Sequence, residues 1–316
     1  MKIYVSQGHE KGIGLEVFFK SCLMLNRDDL NQIVLLAFKQ DVIDTLSTMM
    51  LPFKFHENFI SLVGMAIAVQ WLEIKEHGHS FTALNHGMKL AEKGGVLFTL
   101  PTSKDQFPGY AGHTEYFRAI YQQRELGMFF SSPKLKMLLL SDHIPVSALA
   151  SELSEDIIYG RLKNCLDTFQ QWSWPIERML VSGFNPHAGE GGLIGHEDSR
   201  VSSAIKRLRL DYKIQITGPI SGDTMLLEQK SQSDLLVYMF HDQGLGIFKG
   251  LQGFIGANIT LGLSYPRFSP DHGTSFALYG KNQADHRGCE YSLKEALNML
   301  KKVSNGKNSS RKSKSS

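Results

Sequence analysis

The chain has 316 residues, of which 42% are hydrophobic and 21% are charged, and its formal net charge is +3. This composition is typical of a globular protein with one large or two ordinary domains, and so small a net charge gives no support for a nucleic-acid partner. The start has no signal-peptide pattern and no apolar run is long enough to span a bilayer, so we expect a cytoplasmic protein with no membrane partner.

Strand-like and helix-like segments alternate along the chain. In the first half we predict, in order, a strand at residues 2–6, a helix at 15–25, a strand at 33–38, a helix that Ser80 caps and Gly94–Gly95 ends, a strand at 96–100, a helix from Thr114 that stops at Gly127, and a strand at 136–140. In the second half we predict a helix at 154–172, a strand at 179–184, a helix at 198–210, strands at 212–217, 235–240 and 258–263, and a helix at 293–303. This alternation favours parallel sheets that are covered by helices on both faces.

Three of the apolar strand segments each lead into a histidine, namely His143, His187 and His241. In an open parallel sheet the ligand crevice lies outside the carboxyl ends of the strands, so the three imidazoles can converge on one point. Imidazole suits zinc and other transition metals. A single histidine of this kind is more often an ordinary loop or core residue, but three at equivalent positions favour a metal site.

Glycine-rich motifs follow several strands. NPHAGEGG, GPISGDTM, HDQGL, NITLGL and DHGT begin at residues 185, 218, 241, 258 and 271, and GHTE at residue 112 precedes them. None is a Walker A loop or a dinucleotide fingerprint, and each alone is a weak signal. Together, and in this order, they resemble the 4-hydroxythreonine-4-phosphate dehydrogenase family of pyridoxal phosphate biosynthesis, most densely over residues 112–285.

The resemblance implies an α/β fold like that of isocitrate and isopropylmalate dehydrogenases, with two interleaved α/β/α domains and an active-site cleft between them. We expect the first domain at residues 1–108 plus 266–303, and the second at residues 109–265 with the dimer interface. The resemblance also implies a homodimer with a shared active site. Residues 304–316 contain no apolar side chain and are expected to form a disordered tail.

The resemblance also implies which residues form the site. One divalent metal per subunit, zinc, magnesium or cobalt, would bind His143, His187 and His241. The phosphorylated substrate would contact His113, Thr114, Lys249, Asn258 and Arg267. NAD, with NADP as an alternative, would bind Asp271, His272, Gly273 and Thr274. Asp242 and Asp223 are the candidate catalytic proton acceptors, because they lie beside the metal ligands or near them in the motifs.

The implied activity is the NAD-dependent, metal-assisted oxidation and decarboxylation of 4-phosphooxy-L-threonine to 3-amino-2-oxopropyl phosphate, a step of pyridoxine 5′-phosphate biosynthesis. Two alternatives stay open. The substrate of this oxidoreductase could instead be a phosphorylated four-carbon sugar acid, phospho-threonate or phospho-erythronate. The opening loop GHEKGIGLE, with His9, Glu10 and Leu15, departs from the family pattern, and this departure would also suit a ligand-binding relative with impaired catalysis.

Overall fold

The fold is that of a computed structural model, which describes residues 1–73, 78–110, 112–123 and 125–312. The strands are β1 (Ile3–Ser6), β2 (Ile33–Ala37), β3 (Phe53–Phe55), β4 (Phe59–Leu62), β5 (Met65–Trp71), β6 (Val96–Thr99), β7 (Gly127–Ser131), β8 (Lys136–Leu139), β9 (Arg178–Ser182), β10 (Gln215–Ile220), β11 (Asp234–Tyr238), β12 (Ala257–Leu261) and β13 (Arg267–Pro270). The α-helices are α1 (Gly14–Cys22), α2 (Arg27–Leu30), α3 (Lys39–Met49), α4 (His79–Glu92), α5 (His113–Tyr121), α6 (Leu149–Glu152), α7 (Glu155–Gln171), α8 (Asp198–Asp211), α9 (Met225–Glu228), α10 (His241–Gln252) and α11 (Arg287–Lys312).

The chain forms two compact units. The first contains residues 1–122, 254–258 and 263–316, and the second contains residues 123–253 and 259–262. Each unit is therefore built from separate stretches of the sequence. The predicted division into domains at residues 108/109 and 265/266 stays a prediction.

Each unit has its own run of paired strands. In the first unit the order is β13-β6-β1-β2-β5-β4-β3, and the pairs from β13 to β5 are parallel. In the second unit the order is β10-β9-β11-β8-β7, and the pairs from β10 to β8 are parallel. Because consecutive parallel strands need crossover connections, helices such as α4 and α8 link them, as the alternating sequence pattern predicts.

The predicted parallel strands are joined by antiparallel pairs that the sequence did not indicate. Strands β3, β4 and β5 pair antiparallel, and so do β7 and β8. The turn between β4 and β5 is two residues long, Val63 and Gly64, both with positive φ. Such a turn matches the twist of an antiparallel hairpin, and valine gives no sequence signal for it.

Several predicted helix ends also differ. Gly78 rather than Ser80 is the N-cap of α4. Helix α5 ends at Tyr121, where Gln122 adopts the left-handed conformation, and Gly127 instead begins β7. Helix α8 ends at Asp211, one residue later than predicted, and strand β10 begins at Gln215, three residues later than predicted.

The C-terminal helix is longer than predicted. Helix α11 begins at Arg287 and runs to Lys312, so residues 304–312 of the segment that we expected to be disordered are helical. Lysine, arginine and serine are compatible with a helix that is already nucleated by its apolar first half. Residues 313–316 of that predicted tail lie outside the described residues. No helix in the described part of the chain is long and apolar enough to cross a membrane.

Candidate active site

The three predicted metal-binding histidines follow three adjacent parallel strands of the second unit. His143 comes after β8, His241 after β11 and His187 after β9, and these strands lie side by side in the order β9-β11-β8. The ring centroids of His143 and His241 are 5.7 Å apart. These two imidazoles line a small cavity of about 140 Å³ together with Asp142 and Asp242.

Hydrogen bonds tie the strand ends together beneath these histidines. Ser141 after β8 donates from its backbone N–H and from its hydroxyl to the carbonyl of Met239 after β11. The Gln243 side chain joins β11 to β9, since its Oε1 accepts from Met239 N at 2.8 Å and its Nε2 donates to Gly183 O at 3.0 Å. The strand ends from which the histidine loops begin are therefore held together by hydrogen bonds.

A neighbouring carboxylate orients His241. Its Nδ1 lies 2.7 Å from Asp242 Oδ1, which leaves Nε2 as the nitrogen with an available lone pair. Helix α10, which begins at His241, is packed onto the sheet by fully buried Phe248. The close approach requires Gly244, because a Cβ there would lie 2.8 Å from the Leu139 side chain.

His187 is presented on an unusual turn. Residues 187–191, which we call the His187 turn, all have positive φ values between 42° and 77°. The left-handed conformation costs about 1–2 kcal/mol for each non-glycine residue, so His187, Ala188 and Glu190 are held against their own preference. The His187 side chain is 63% exposed, and its Nδ1 lies 4.0 Å from Glu190 Oε1. Strain of this kind often accompanies a functional loop.

The three predicted histidine ligands fit a transition-metal site only in part. The pair His143 and His241 converges on one cavity, as two imidazole ligands of one ion would. However, no group of three His, Cys, Asp or Glu side chains within the described ranges is arranged to hold a metal ion. Among the described residues His187 thus does not complete a three-ligand set, and the predicted three-histidine site stays a prediction.

The two candidate proton acceptors differ in surroundings. The Asp242 side chain is 84% exposed next to His241. The Ser221 hydroxyl donates to Asp223 and is the main cause that lowers the pKa of this carboxyl, with a smaller contribution from the charge of His187. Asp223 is therefore ionised at neutral pH but is a weakened base. Both catalytic roles stay predictions.

The first unit contains a buried cationic group, Arg267, at the start of β13. Its side chain is almost fully buried, and its Nε and Nη2 both donate to Thr99 Oγ1, at 3.1 and 2.6 Å. Its guanidinium also lies 5.7 Å from the centroid of the Phe117 ring. Burial lowers the pKa of Arg267 to about 10, which leaves it cationic at neutral pH.

His113 and Thr114 begin helix α5 in the same unit. Burial, and next the positive charge of Arg267, hold the pKa of His113 well below its usual range, so its ring is neutral at pH 7. Gly112 caps this helix without a side-chain hydrogen bond, and the first backbone N–H groups of a helix have no partner within it. A buried cation, a neutral imidazole and a helix N-terminus are together suited to an anion.

The other two predicted substrate residues are Asn258 and Lys249. The Asn258 Oδ1 is buried and has no hydrogen-bond partner among the described residues. A buried amide oxygen is costly without a donor, so a ligand donor would stabilise it. Lys249 is half-buried in helix α10 of the second unit. The five substrate assignments stay predictions.

The predicted cofactor loop follows β13. Asp271 donates its backbone N–H to Gly256 O at 3.2 Å, and His272 Nδ1 lies 3.2 Å from Gly273 O. Thr274 O accepts from Ile13 N at 3.0 Å, which joins this loop to the opening loop. An added Cβ at Gly273 would meet nothing within 4 Å, so the backbone there is open to a ligand. These cofactor contacts stay predictions.

The opening loop is anchored where the sequence departs from the family pattern. His9 Nε2 lies 3.3 Å from Asp105 Oδ2, and the His9 ring packs edge-on against Phe276, with centroids 4.9 Å apart. Glu16, in the first turn of α1, accepts from Ala284 N at 2.8 Å and Lys20 Nζ at 2.7 Å. The substituted loop is thus packed against the segment that contains the predicted cofactor residues.

Thr99, Gln243 and Asp198 are structural partners of the site that the sequence did not indicate as such. Thr99 binds Arg267 from a position 168 residues away in sequence. Gln243 lies within the HDQGL motif without a sequence signal for its role, and the sequence predicts Asp198 only as the start of a helix. Their roles depend on which strands are neighbours, which a motif does not reveal.

A pair of histidines at the carboxyl ends of parallel strands is the arrangement of an α/β enzyme, in which the ligand site lies at those strand ends. The model of the family described as pyridoxal phosphate biosynthetic protein PdxA matches residues 27–300. The chain belongs to this family, which confirms the predicted resemblance. The relatives described below are named as dehydrogenases, and a dehydrogenase family indicates a nicotinamide cofactor.

The names of similar proteins are consistent with this family. The chain is 37% identical to a 4-hydroxythreonine-4-phosphate dehydrogenase from Sulfurihydrogenibium sp., over 68% of this chain and 67% of the relative. It is 34% identical to a D-threonate 4-phosphate dehydrogenase from Cupriavidus necator, over 65% of this chain and 62% of the relative. The crystal structure of a 4-hydroxythreonine-4-phosphate dehydrogenase from Klebsiella pneumoniae is similar with a TM-score of 0.81 and 26% identity, over 95% of this chain and 98% of that chain. This similarity confirms the predicted α/β fold class.

Proposed function

We propose that the protein is an NAD-dependent dehydrogenase that converts 4-phosphooxy-L-threonine to 3-amino-2-oxopropyl phosphate in the cytoplasm. The observation that carries this proposal is the buried Arg267 beside neutral His113 in a member of this family. The 3-hydroxyl of the substrate loses its proton, and C3 transfers its hydrogen as hydride to NAD⁺, which is reduced to NADH. The resulting β-keto acid then loses its carboxylate as carbon dioxide.

Recognition of the phosphate supports this substrate class. Arg267 is fixed by Thr99 through Nε and Nη2, and its charge helps to keep the His113 ring neutral. A phosphate dianion stabilises a buried guanidinium and accepts hydrogen bonds from the first turn of α5. Lys249 and Asn258 are proposed to bind the other polar groups of the substrate.

A divalent metal, zinc, magnesium or cobalt, is proposed to bind at His143 and His241 with His187 as the third ligand. When bound, such an ion makes the substrate hydroxyl more acidic and stabilises negative charge on its oxygen. Asp242 keeps the His241 ring in the tautomer that offers Nε2. Asp242 or Asp223 is proposed to receive the hydroxyl proton.

The partial fit of the histidines supports a homodimer with a shared active site. His143 and His241 converge within one chain, whereas His187 is exposed on its own turn and completes no three-ligand group there. An exposed ligand in each chain is what a second copy would need in order to complete the pair of its neighbour. We therefore propose that His187 is contributed across the dimer.

A second candidate substrate is D-threonate 4-phosphate, because a relative of 34% identity is named for it. It carries a hydroxyl in place of the amino group, and phosphate recognition by Arg267 would be the same for both. The two candidates therefore differ only in the group beside the carboxylate, where the described residues provide no decisive contact.

The test is NADH production from each phosphorylated acid, with NAD⁺ or NADP⁺ and with added Zn²⁺, Mg²⁺ or Co²⁺. We expect the largest kcat/KM with 4-phosphooxy-L-threonine and NAD⁺. A larger value with D-threonate 4-phosphate would transfer the assignment to that substrate. Binding of both acids without NADH in any combination would show that the altered opening loop belongs to an inactive ligand-binding relative.

A further inference from the structure

We infer that Asp198 is a positioning residue, which holds the His187 turn in its left-handed conformation and thereby presents His187 to a ligand. This inference rests on the proposed function in one respect, namely that His187 binds the metal. The conformational part of the inference depends only on the contacts of this chain.

The Asp198 carboxylate binds the segment that leads into the His187 turn. Its Oδ1 accepts from the backbone N–H of Phe184 at 2.6 Å. Its Oδ2 accepts from the backbone N–H of Asn185 at 3.1 Å and from Asn185 Nδ2 at 3.0 Å. The residue is buried, so these hydrogen bonds are shielded from competing water. Asp198 thus binds two consecutive backbone N–H groups before the turn, and Glu197 Oε2 accepts a further hydrogen bond from Asn185 Nδ2 at 2.8 Å.

The packing around the carboxylate has no room for a relaxed turn. A Cβ on Gly183 would lie 2.7 Å from Asp198 Oδ1 and 2.7 Å from the Ala188 Cα. A Cβ on Gly189, where φ is +77°, would lie 2.9 Å from Asp198 Oδ2. The turn is thus wound closely around Asp198. Since L-residues prefer negative φ, loss of the carboxylate would let His187 and Ala188 leave the left-handed region.

The role of the Asp198 carboxylate can be tested without disrupting helix α8, which carries it. Helix α8 is anchored by buried Val201, Ala204, Ile205 and Leu208, so a change at its first residue leaves this apolar contact in place. The His187 side chain is mostly exposed, so the backbone of the turn rather than packing sets where its imidazole lies. Asp198 therefore acts on His187 through the backbone.

The test compares Asp198→Asn with the matched control Asp234→Asn in the full-length protein. Asp234 is a fully buried carboxylate of the same unit that accepts from the backbone N–H groups of Lys230 and Ser231 but does not touch the His187 turn. Two measurements are made, the amide hydrogen exchange of residues 184–191 and the affinity for Zn²⁺ by calorimetric titration of the metal-free protein.

We expect Asp198→Asn to speed exchange in residues 184–191 and to weaken Zn²⁺ binding at least about 10-fold, as removal of a supporting partner of a metal ligand typically does. Asp234→Asn should lower the Tm but leave both readouts unchanged. Should Asp198→Asn fail to fold, Gly189→Ala displaces the carboxylate from the other side and is expected to act in the same direction. Unchanged exchange in the folded variant would overturn the inference. Faster exchange with unchanged Zn²⁺ affinity would show that Asp198 holds the turn but does not position His187 for a metal. A wild-type protein that binds no Zn²⁺ would instead contradict the proposed metal site.

Discussion

At the scale of single residues, the most informative pair is Arg267 and His113, because each explains the state of the other. The buried guanidinium stays cationic, and its charge adds to burial in keeping the His113 ring neutral. Two cations would repel each other in such a place, whereas one cation and one neutral donor can bind a dianion together. If the pair binds phosphate as proposed, its charge state is already set before the ligand arrives.

Replacement of Arg267 tests this interpretation. We expect Arg267→Ala to weaken binding of the phosphorylated substrate about 30-fold or more, since loss of one partner of a buried charged pair costs roughly 2–5 kcal/mol. Arg267→Lys should restore only part of the affinity, because an ammonium lacks the planar fork that now bonds Thr99 through two nitrogens. Calorimetric titration with the phosphorylated and unphosphorylated substrates measures the effect. The control is Arg178→Lys, which changes an ion pair with Asp234. If the wild type bound the phosphorylated and unphosphorylated ligands equally, the proposed phosphate site would be contradicted.

The neutral state of His113 predicts how stability depends on pH. Because its pKa in the folded protein is lowered, the unfolded chain binds a proton at His113 from about pH 6.5 downward while the folded protein does not. The free energy of unfolding should therefore fall on acidification from pH 7 to pH 5, and His113→Gln should reduce the slope. Urea unfolding at several pH values measures it, with exposed His196→Gln as the control. An identical slope in wild type and His113→Gln would contradict the buried neutral imidazole.

The sequence predicted the residue types of this site better than their partners. The GHTE motif and Arg267 were assigned to the substrate from the family resemblance, and their roles stay predictions. Thr99 was predicted only as part of a strand, because its contact with Arg267 arises from the pairing of β6 with β13. Long-range partners of this kind follow from strand order, which local sequence does not encode.

At the scale of secondary structure, the alternation of strands and helices was predictable from apolar periodicity, and the hairpins were not. Strands β1, β2 and β6 and helices α7 and α8 lie where the pattern predicted them. Strands β3–β5 fall in a stretch whose turn, Val63-Gly64, contains none of the asparagine or aspartate that usually signals a type I′ turn. Because a β-branched residue such as Val63 rarely adopts positive φ, the sequence does not indicate this hairpin.

The same turn gives a prediction about stability. Val63 has a φ of 46° and a half-exposed side chain, so its unfavourable backbone is not offset by burial. We expect Val63→Asn to raise the free energy of unfolding by about 1 kcal/mol, because asparagine tolerates the left-handed region. The exposed Val146 is the matched control, since it has no positive φ and Val146→Asn should have no such effect. A destabilised Val63→Asn protein in urea unfolding would show that the turn is not strained by its valine.

At the scale of the whole molecule, the arrangement of the histidines predicts how two copies cooperate. His143 and His241 lie together in one chain, whereas His187 is exposed on the His187 turn. If each metal site combines the pair of one chain with His187 of the other, a mixed dimer of His187→Ala and His143→Ala chains contains one intact site and one site that lacks two ligands. The sequence alone did not indicate which histidines are paired, because all three occupy equivalent strand ends.

Subunit exchange between inactive variants measures this arrangement. Random mixing of equal amounts of His187→Ala and His143→Ala chains yields mixed dimers in half of the population, so activity should recover to about a quarter of the wild-type value. Mixing His143→Ala with His241→Ala should recover nothing, because every pair in every dimer then lacks a ligand. Recovery only in the second mixture would show that His143 and His241 come from different chains. Recovery in neither mixture would show that all three histidines of a site belong to one chain, provided that the variants sediment as dimers and exchange subunits. Sedimentation of the wild type as a monomer would exclude a shared site.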